Sequence, residues 1–222
     1  MSATPTHTRY AYLHGFGSSP RTKKGVVLAD AFAARGAALE RPDLSVPSFA
    51  RLSPLAALEA IDAMDAAAEG ARWRILGSSM GGYLAARWAE LHPEKVEKLV
   101  LLCPGFELGT RWPEVVGPAK MEEWKRNGSL PFMNFATGAP ENVHYRFYEE
   151  GLTLPPRPVV PCPTLIFHGR RDPTVPIEVS RSYAAEHADR VRLVELDDVH
   201  ELLDSLPFIV EETLRFFEVP AP

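Results

Sequence analysis

Apolar and polar positions change period repeatedly along the 222 residues. Arg9–Leu13, Arg72–Leu76 and Pro163–His168 are short apolar runs, and Val191–Leu196 alternates; each reads as a strand. Lys98–Cys103 is apolar almost throughout, as a central parallel strand buried on both faces must be. Ala38–Leu44 is a shorter, weaker candidate. Helical spacing fills the gaps. Val26, Val27, Leu28, Ala31 and Phe32 lie on a helix that stops near Gly36. A long alanine-rich helix is predicted from about Pro54 to Ala68, with Ser53 as N-cap and proline in its first turn. A third helix covers Tyr83–Ala89 and ends near His92-Pro93. Pro207–Phe217 closes the chain, with Phe208, Ile209, Leu214 and Phe217 on or near one face. Strands alternating with helices predict an α/β fold: a doubly wound, mainly parallel sheet of about six strands.

Residues 104–163 break this rhythm. They hold ten of the chain's 21 prolines, together with Trp112, Trp124, Phe132, Phe135, Tyr145, Phe147 and Tyr148. So long an insertion between core strands is more often a functional lid than an idle loop. The expectation is one domain spanning residues 1–222 with a small helical cap at about 106–160, its helices near 114–126 and 141–149. Trp112, Trp124, Phe135 and Phe147 are candidate pocket residues, set against the plainer reading that the cap aromatics pack only on each other.

The chemistry is carried by Gly77-Ser78-Ser79-Met80-Gly81, placed between a strand and a helix. A serine at so sharp a turn needs small residues two positions before and after it. Ser79 meets that requirement and Ser78 does not. The helix that follows directs free N–H groups at an anion forming near Ser79 Oγ. Upstream, a strand runs into His14-Gly15-Phe16-Gly17, a loop able to bring main-chain donors to a substrate carbonyl. The N–H groups of Phe16 and Met80 are therefore the candidate oxyanion donors. A dinucleotide-binding reading of the loop is weak, because Pro20 stands where the third glycine should be. Asp172 follows the strand ending at Gly169, and His200 follows the last strand through Asp197-Asp198-Val199. Each candidate lies just past the C-terminal end of a strand, where open α/β sheets place ligands. Glu107, Asp197 and Asp198 are weaker choices for the acid. His14 is read as loop-shaping, His168 as structural and His187 as a solvated helix residue.

The order Ser79, Asp172, His200, with these motifs, resembles the α/β-hydrolase fold serine hydrolases, and most of all the small YqiA-like bacterial esterases, whose start is similar to Tyr12-Leu13-His14-Gly15-Phe16-Gly17-Ser18-Ser19-Pro20. The resemblance implies hydrolysis of an ester or thioester through an acyl-serine, without fixing the acyl group. The first two strands of the full-size fold have no counterpart here.

Charge and composition narrow the alternatives. A formal net charge of −5 and the lack of a Lys/Arg block argue against a nucleic-acid binder. No run approaches the roughly 18–20 apolar residues that span a bilayer. Cys103 and Cys162 form no C-x-x-C pair and no apolar signal segment leads the chain, so a reducing, cytoplasmic setting is the expectation. The seven histidines show no paired metal-ligand spacing, so neither a metal nor a cofactor is expected. The expected partner is a small ester or thioester, and oligomeric state is not encoded legibly. Arg21, Lys23 and Lys24 oppose the dipole of the first helix; solvated surface charge is the plainer reading, and the sharper one is that, with Arg170 or Arg171, they meet an anionic part of the substrate. C–C bond cleavage on the same fold is the nearest alternative reaction. A ligand-binding protein that keeps the fold without catalysis is the alternative from another class.

Overall fold

A computed structural model describes residues 7–221. In chain order the elements are β1 (Thr8–Leu13), α1 (Lys23–Ala33), β2 (Leu39–Glu40), a 3-10 turn at Phe49–Arg51, α2 (Pro54–Ala66), β3 (Arg72–Ser78), α3 (Met80–Leu91), β4 (Val96–Leu102), α4 (Leu108–Val116), α5 (Pro118–Asn127), β5 (Ser129–Asn134), β6 (Ala139–His144), α6 (Arg146–Thr153), β7 (Thr164–Gly169), α7 (Ile177–Glu186), β8 (Val191–Leu196) and α8 (Leu206–Phe216). Six strands form one sheet in the order β2-β1-β3-β4-β7-β8, with every neighbour parallel. The weak strand near residue 39 shrinks to two residues at one edge.

Alternation within the strands builds two cores. Ala11, Leu13, Trp73, Ile75, Leu99, Leu101 and Ile166 face the layer containing α2, α3 and α7. Tyr10, Tyr12, Leu76, Val100, Leu102, Leu165 and Phe167 face Leu28 and Phe32 of α1 and Ile209 and Leu214 of α8. Period-two strands between helical layers leave both faces dry, which is why the central strands read as unbroken apolar runs. Ser53 caps α2 as its sequence requires, its hydroxyl accepting from the Ala56 N–H at 3.0 Å. None of the described helices is long and apolar enough to cross a membrane.

The insertion between β4 and β7 differs from expectation in two ways. The first helical stretch is two helices, because Gly117 adopts φ 87° and Pro118 opens a new helix. Residues 129–144 form an antiparallel ribbon, not part of a helix, so the insertion is not purely helical and its last helix begins at Arg146. Two strands alone leave a free edge on each side, where Pro131 and Pro140 fit without a backbone donor. Those prolines hid the ribbon in the sequence.

Candidate active site

Packing dictates the turn at Ser79. A Cβ on Gly77 would overlap the Gly81 backbone, and one on Gly81 would overlap the Leu13 and His14 carbonyls. Both glycines are required for β3, α3 and the end of β1 to approach this closely. Between them Ser79 is held at φ 54° and ψ −120°, a conformation that L-residues avoid. Its N–H donates to the Leu102 carbonyl at 2.9 Å, and its carbonyl accepts from Gly105 N–H at 2.9 Å. The turn is thus tied on both sides to the end of β4.

His14, buried at the end of β1, shapes the adjacent loop. Its Nδ1 lies 3.0 Å from the Gly15 carbonyl and its Nε2 accepts from the Leu44 N–H at 2.9 Å, which places the ring proton on Nδ1. Burial lowers the pKa of this imidazole, outweighing the Gly15 bond and Asp43. Phe16 follows, its ring packed among Phe49, Trp112, Phe132 and Phe147. The Phe135 N–H donates to the Gly17 carbonyl at 2.7 Å, so the ribbon of the insertion is fastened to this loop.

Asp172 and His200 meet as the sequence order suggests, with Nδ1 2.7 Å from Oδ2. The Asp172 side chain is fully buried. Its Oδ1 accepts from the Thr174 and Val175 N–H groups at 2.8 and 2.9 Å. Its Oδ2 also lies 3.3 Å from His168 Nε2. Burial pushes the carboxyl pKa up, but bonds from His168, His200 and Val175 overcome it and hold Asp172 well below the usual carboxylate range. The rival acids are engaged elsewhere. Glu107 faces Arg157 at 3.9 Å, Asp197 pairs with Arg171 at 3.0 Å, and Asp198 accepts from the Val199 and Ser205 N–H groups at 2.7 and 2.9 Å.

Two neighbours of this pair escaped the sequence reading. His168 is a support for Asp172 as well as a core residue, bridging to Ser180 Oγ and the Val175 carbonyl at 2.8 Å each. Cys103, at φ 42° on the end of β4, brings its Sγ within 4.8 Å of Asp172 and His200. Cysteine, aspartate and histidine so grouped could ligate a metal, yet both Asp172 oxygens are committed to hydrogen bonds. Burial and the Asp172 charge also raise the Cys103 pKa, so it rests as a thiol beside the carboxylate. Neither neighbour carries a motif; only the parallel register brings them here.

Ser79, Met80, Phe16 and His200 line one cavity of ≈ 490 Å³. Its far wall comes from the insertion, with Leu108, Trp112, Val115, Leu130, Phe132 and Phe135 among the apolar members. Of the four aromatics expected at the pocket, Trp112 and Phe135 line it. Trp124 and Phe147 stand behind the wall: Trp124 is fully buried with its indole N–H on the Val143 carbonyl at 2.8 Å, and Phe147 packs on Phe16 and Trp112. The cations weighed as substrate contacts do not line the cavity, in keeping with the plainer reading of surface charge for Arg21 and Lys23. Arg21 and Lys23 are exposed away from the cavity wall, Arg170 pairs with Glu195 at 3.1 Å, and Lys24 turns inward. Arg111 and Lys120 of the insertion are the cations on the wall.

A family model for the uncharacterised protein family UPF0227 matches residues 9–217. No curated protein matches the sequence. Solved structures share the α/β-hydrolase fold at low identity. Est1E from Butyrivibrio proteoclasticus, solved with ferulic acid bound, is similar with a TM-score of 0.78 and 18% identity over 96% of this chain and 88% of its own. Mouse alpha/beta hydrolase domain-containing protein 10 gives 0.74 and 20% over 96% and 90%. The monoacylglycerol lipase of Paleococcus ferrophilus gives 0.71 and 18% over 95% and 96%.

Proposed function

For this chain, which belongs to the UPF0227 family, we propose a serine hydrolase that cleaves a carboxylic ester or thioester, with Ser79 as nucleophile, His200 as base and Asp172 as the orienting acid. The observation that carries this reading is the 2.7 Å contact of His200 Nδ1 with the buried Asp172 carboxyl, beside a cavity whose wall also holds Ser79.

Asp172 holds the Nδ1 proton, leaving His200 Nε2 free to accept the proton of Ser79 Oγ as that oxygen attacks the carbonyl carbon. The N–H groups of Phe16 and Met80 receive the oxyanion; one such donor is worth about 3–4 kcal/mol. His200 then protonates the leaving alcohol or thiol, and water repeats the sequence to release the acid. The insertion acts as a cap, its aromatics seating the apolar part of the substrate and keeping bulk water from the acyl-enzyme. Lys120, and Arg111 although paired with Glu114 at 3.1 Å, bring positive charge to the wall and suit a substrate with an anionic group.

The test is mass spectrometry after treatment with a fluorophosphonate probe, paired with hydrolysis of p-nitrophenyl esters. A single adduct on Ser79, lost with hydrolysis in Ser79→Ala, is the expected result. Hydrolysis that survives Ser79→Ala, or no adduct on the wild type, would overturn the assignment.

A further inference from the structure

Lys24 is a half-buried lysine beneath the site that the proposed chemistry leaves unused. It lies in the first turn of α1, where a cation opposes the helix dipole, and it is partly withdrawn from solvent, which disfavours its charge again. Its Nζ donates to Ser78 Oγ at 2.9 Å. Ser78 is itself buried and immediately precedes Ser79. Around the amine stand Cys103 at the end of β4, Asp172 after β7, and Asp198 and Glu201 after β8; burial lowers its pKa more than these acidic groups raise it. A residue disfavoured on two counts, and aimed at the base of the Ser79 turn, calls for a reason beyond packing.

Position supplies the reason. Lys24 follows directly the loop 14–22 that carries Phe16, whereas Ser78 belongs to the turn that carries Met80. The two segments also touch at Gly15, where a Cβ would come to 3.2 Å from Ser79 Cβ. Beside the tie, Tyr12 Oη and Thr22 Oγ1 lie 3.4 Å apart, and Thr22 Oγ1 caps α1 by accepting from the Gly25 N–H at 3.2 Å. The Phe16 and Met80 donors therefore belong to separate segments that a polar side-chain bond joins beneath the cavity.

We propose that Lys24 is a positioning residue, whose bond to Ser78 holds the oxyanion loop against the Ser79 turn and so sets the spacing of the Phe16 and Met80 donors. This rests on the serine-hydrolase reading above. The bond is needed most when negative charge develops on the substrate oxygen, so its loss falls on kcat and not on KM.

The experiment measures kcat, KM and trifluoromethyl ketone inhibition for Lys24→Met, Ser78→Ala and the double variant, with Lys24→Arg as the conservative replacement. Such a ketone forms an oxyanion on the serine and reports on the donors directly. Each single variant is expected to lower kcat by about 10- to 100-fold with KM within about twofold, and to weaken the ketone by the same factor. The double variant is expected to be no worse than either single one, because both remove one bond. Lys24→Arg is expected to recover much of the loss. Additive losses, or a fall in kcat with undiminished ketone affinity, would overturn the proposal. Should Lys24→Met fail to fold, Ser78→Ala alone decides, since unchanged kcat there is equally fatal. Fluorophosphonate labelling of the wild type separates the two ideas: labelled Ser79 with unaffected variants refutes Lys24 only, whereas an unlabelled wild type refutes both.

Discussion

His168 Nε2 lies 3.3 Å from Asp172 Oδ2, the same oxygen that His200 Nδ1 approaches to 2.7 Å. One imidazole is fully buried in β7 and the other borders the cavity, so a core residue and a site residue crowd one carboxylate oxygen, with His168 Nε2 also 2.8 Å from the Val175 carbonyl. This support, with the Thr174 and Val175 amides, lets a carboxylate stay ionised where burial alone would neutralise it.

A pH dependence of stability follows. The folded pKa of Asp172 is depressed, so its contribution is fully present above the unfolded value of about 4 and is lost as pH falls toward the folded one. Replacing His168 by Phe weakens the depression and shrinks that loss. Urea midpoints of wild type and His168→Phe, measured from pH 2 to 6, should both decline below about pH 4, with a constant gap that narrows only as pH drops through the variant's own, less depressed folded value. Parallel curves throughout would show that His168 does not hold the charge.

Strain at Ser79 predicts a gain in stability when the residue is changed. Its φ of 54° and ψ of −120° lie in a region open to glycine and costly, by about 1–3 kcal/mol, for other residues. Ser79→Gly removes that cost, against the ~0.5–1 kcal/mol that glycine adds through chain entropy. Ser79→Gly should therefore unfold a few degrees above Ser79→Ala in a calorimeter. Equal melting temperatures would mean the turn is not strained.

Trp124 and Phe135 should separate stability from binding. Trp124 is fully buried behind the cavity wall and Phe135 is 73% exposed at the cavity. Trp124→Ala is expected to cost about 3–5 kcal/mol, read by chemical denaturation. Phe135→Ala is expected to change stability by less than about 0.5 kcal/mol while raising KM severalfold for esters with bulky apolar acyl groups. A large stability loss in Phe135→Ala would place that ring in the core.

Charge on the wall should set substrate preference. Arg111→Gln or Lys120→Gln is expected to raise KM severalfold for an ester ending in a carboxylate, relative to a neutral ester of equal length. Lys23→Gln, exposed and away from the wall, is expected to change neither. Equal effects on both esters in the Arg111 and Lys120 variants would remove the anionic preference.

Much of the site was legible because its constraints are local. Gly77 is demanded by overlap with Gly81 a few residues on, whereas Gly81 is demanded by the distant Leu13 and His14 carbonyls; both nonetheless stand in the pentapeptide, where the strand-to-helix context shows the turn. The alternating strands announce the sheet for the same reason: each residue's face follows from its immediate neighbours. Asp172 and His200 could be placed after strands because the ends of strands are visible in the chain. The ribbon at 129–144 was not legible, since Pro131 and Pro140 argue against strands unless the free edges of a two-stranded ribbon are already known.

By itself, then, the amino-acid sequence determined the parallel α/β architecture, the turn at Ser79 and the chain order of the groups beside it, because strand period and the glycine-flanked serine are read from neighbouring residues even where, as at Gly81, a distant segment supplies the constraint. Tertiary structure alone decided which side chains converge. It set His168 on Asp172, brought Cys103 beside the same carboxylate, turned Lys24 inward to Ser78, and put Trp124 behind the wall and Phe135 upon it. Those choices depend on how strands align and how the insertion docks, relations between distant segments that no local period records.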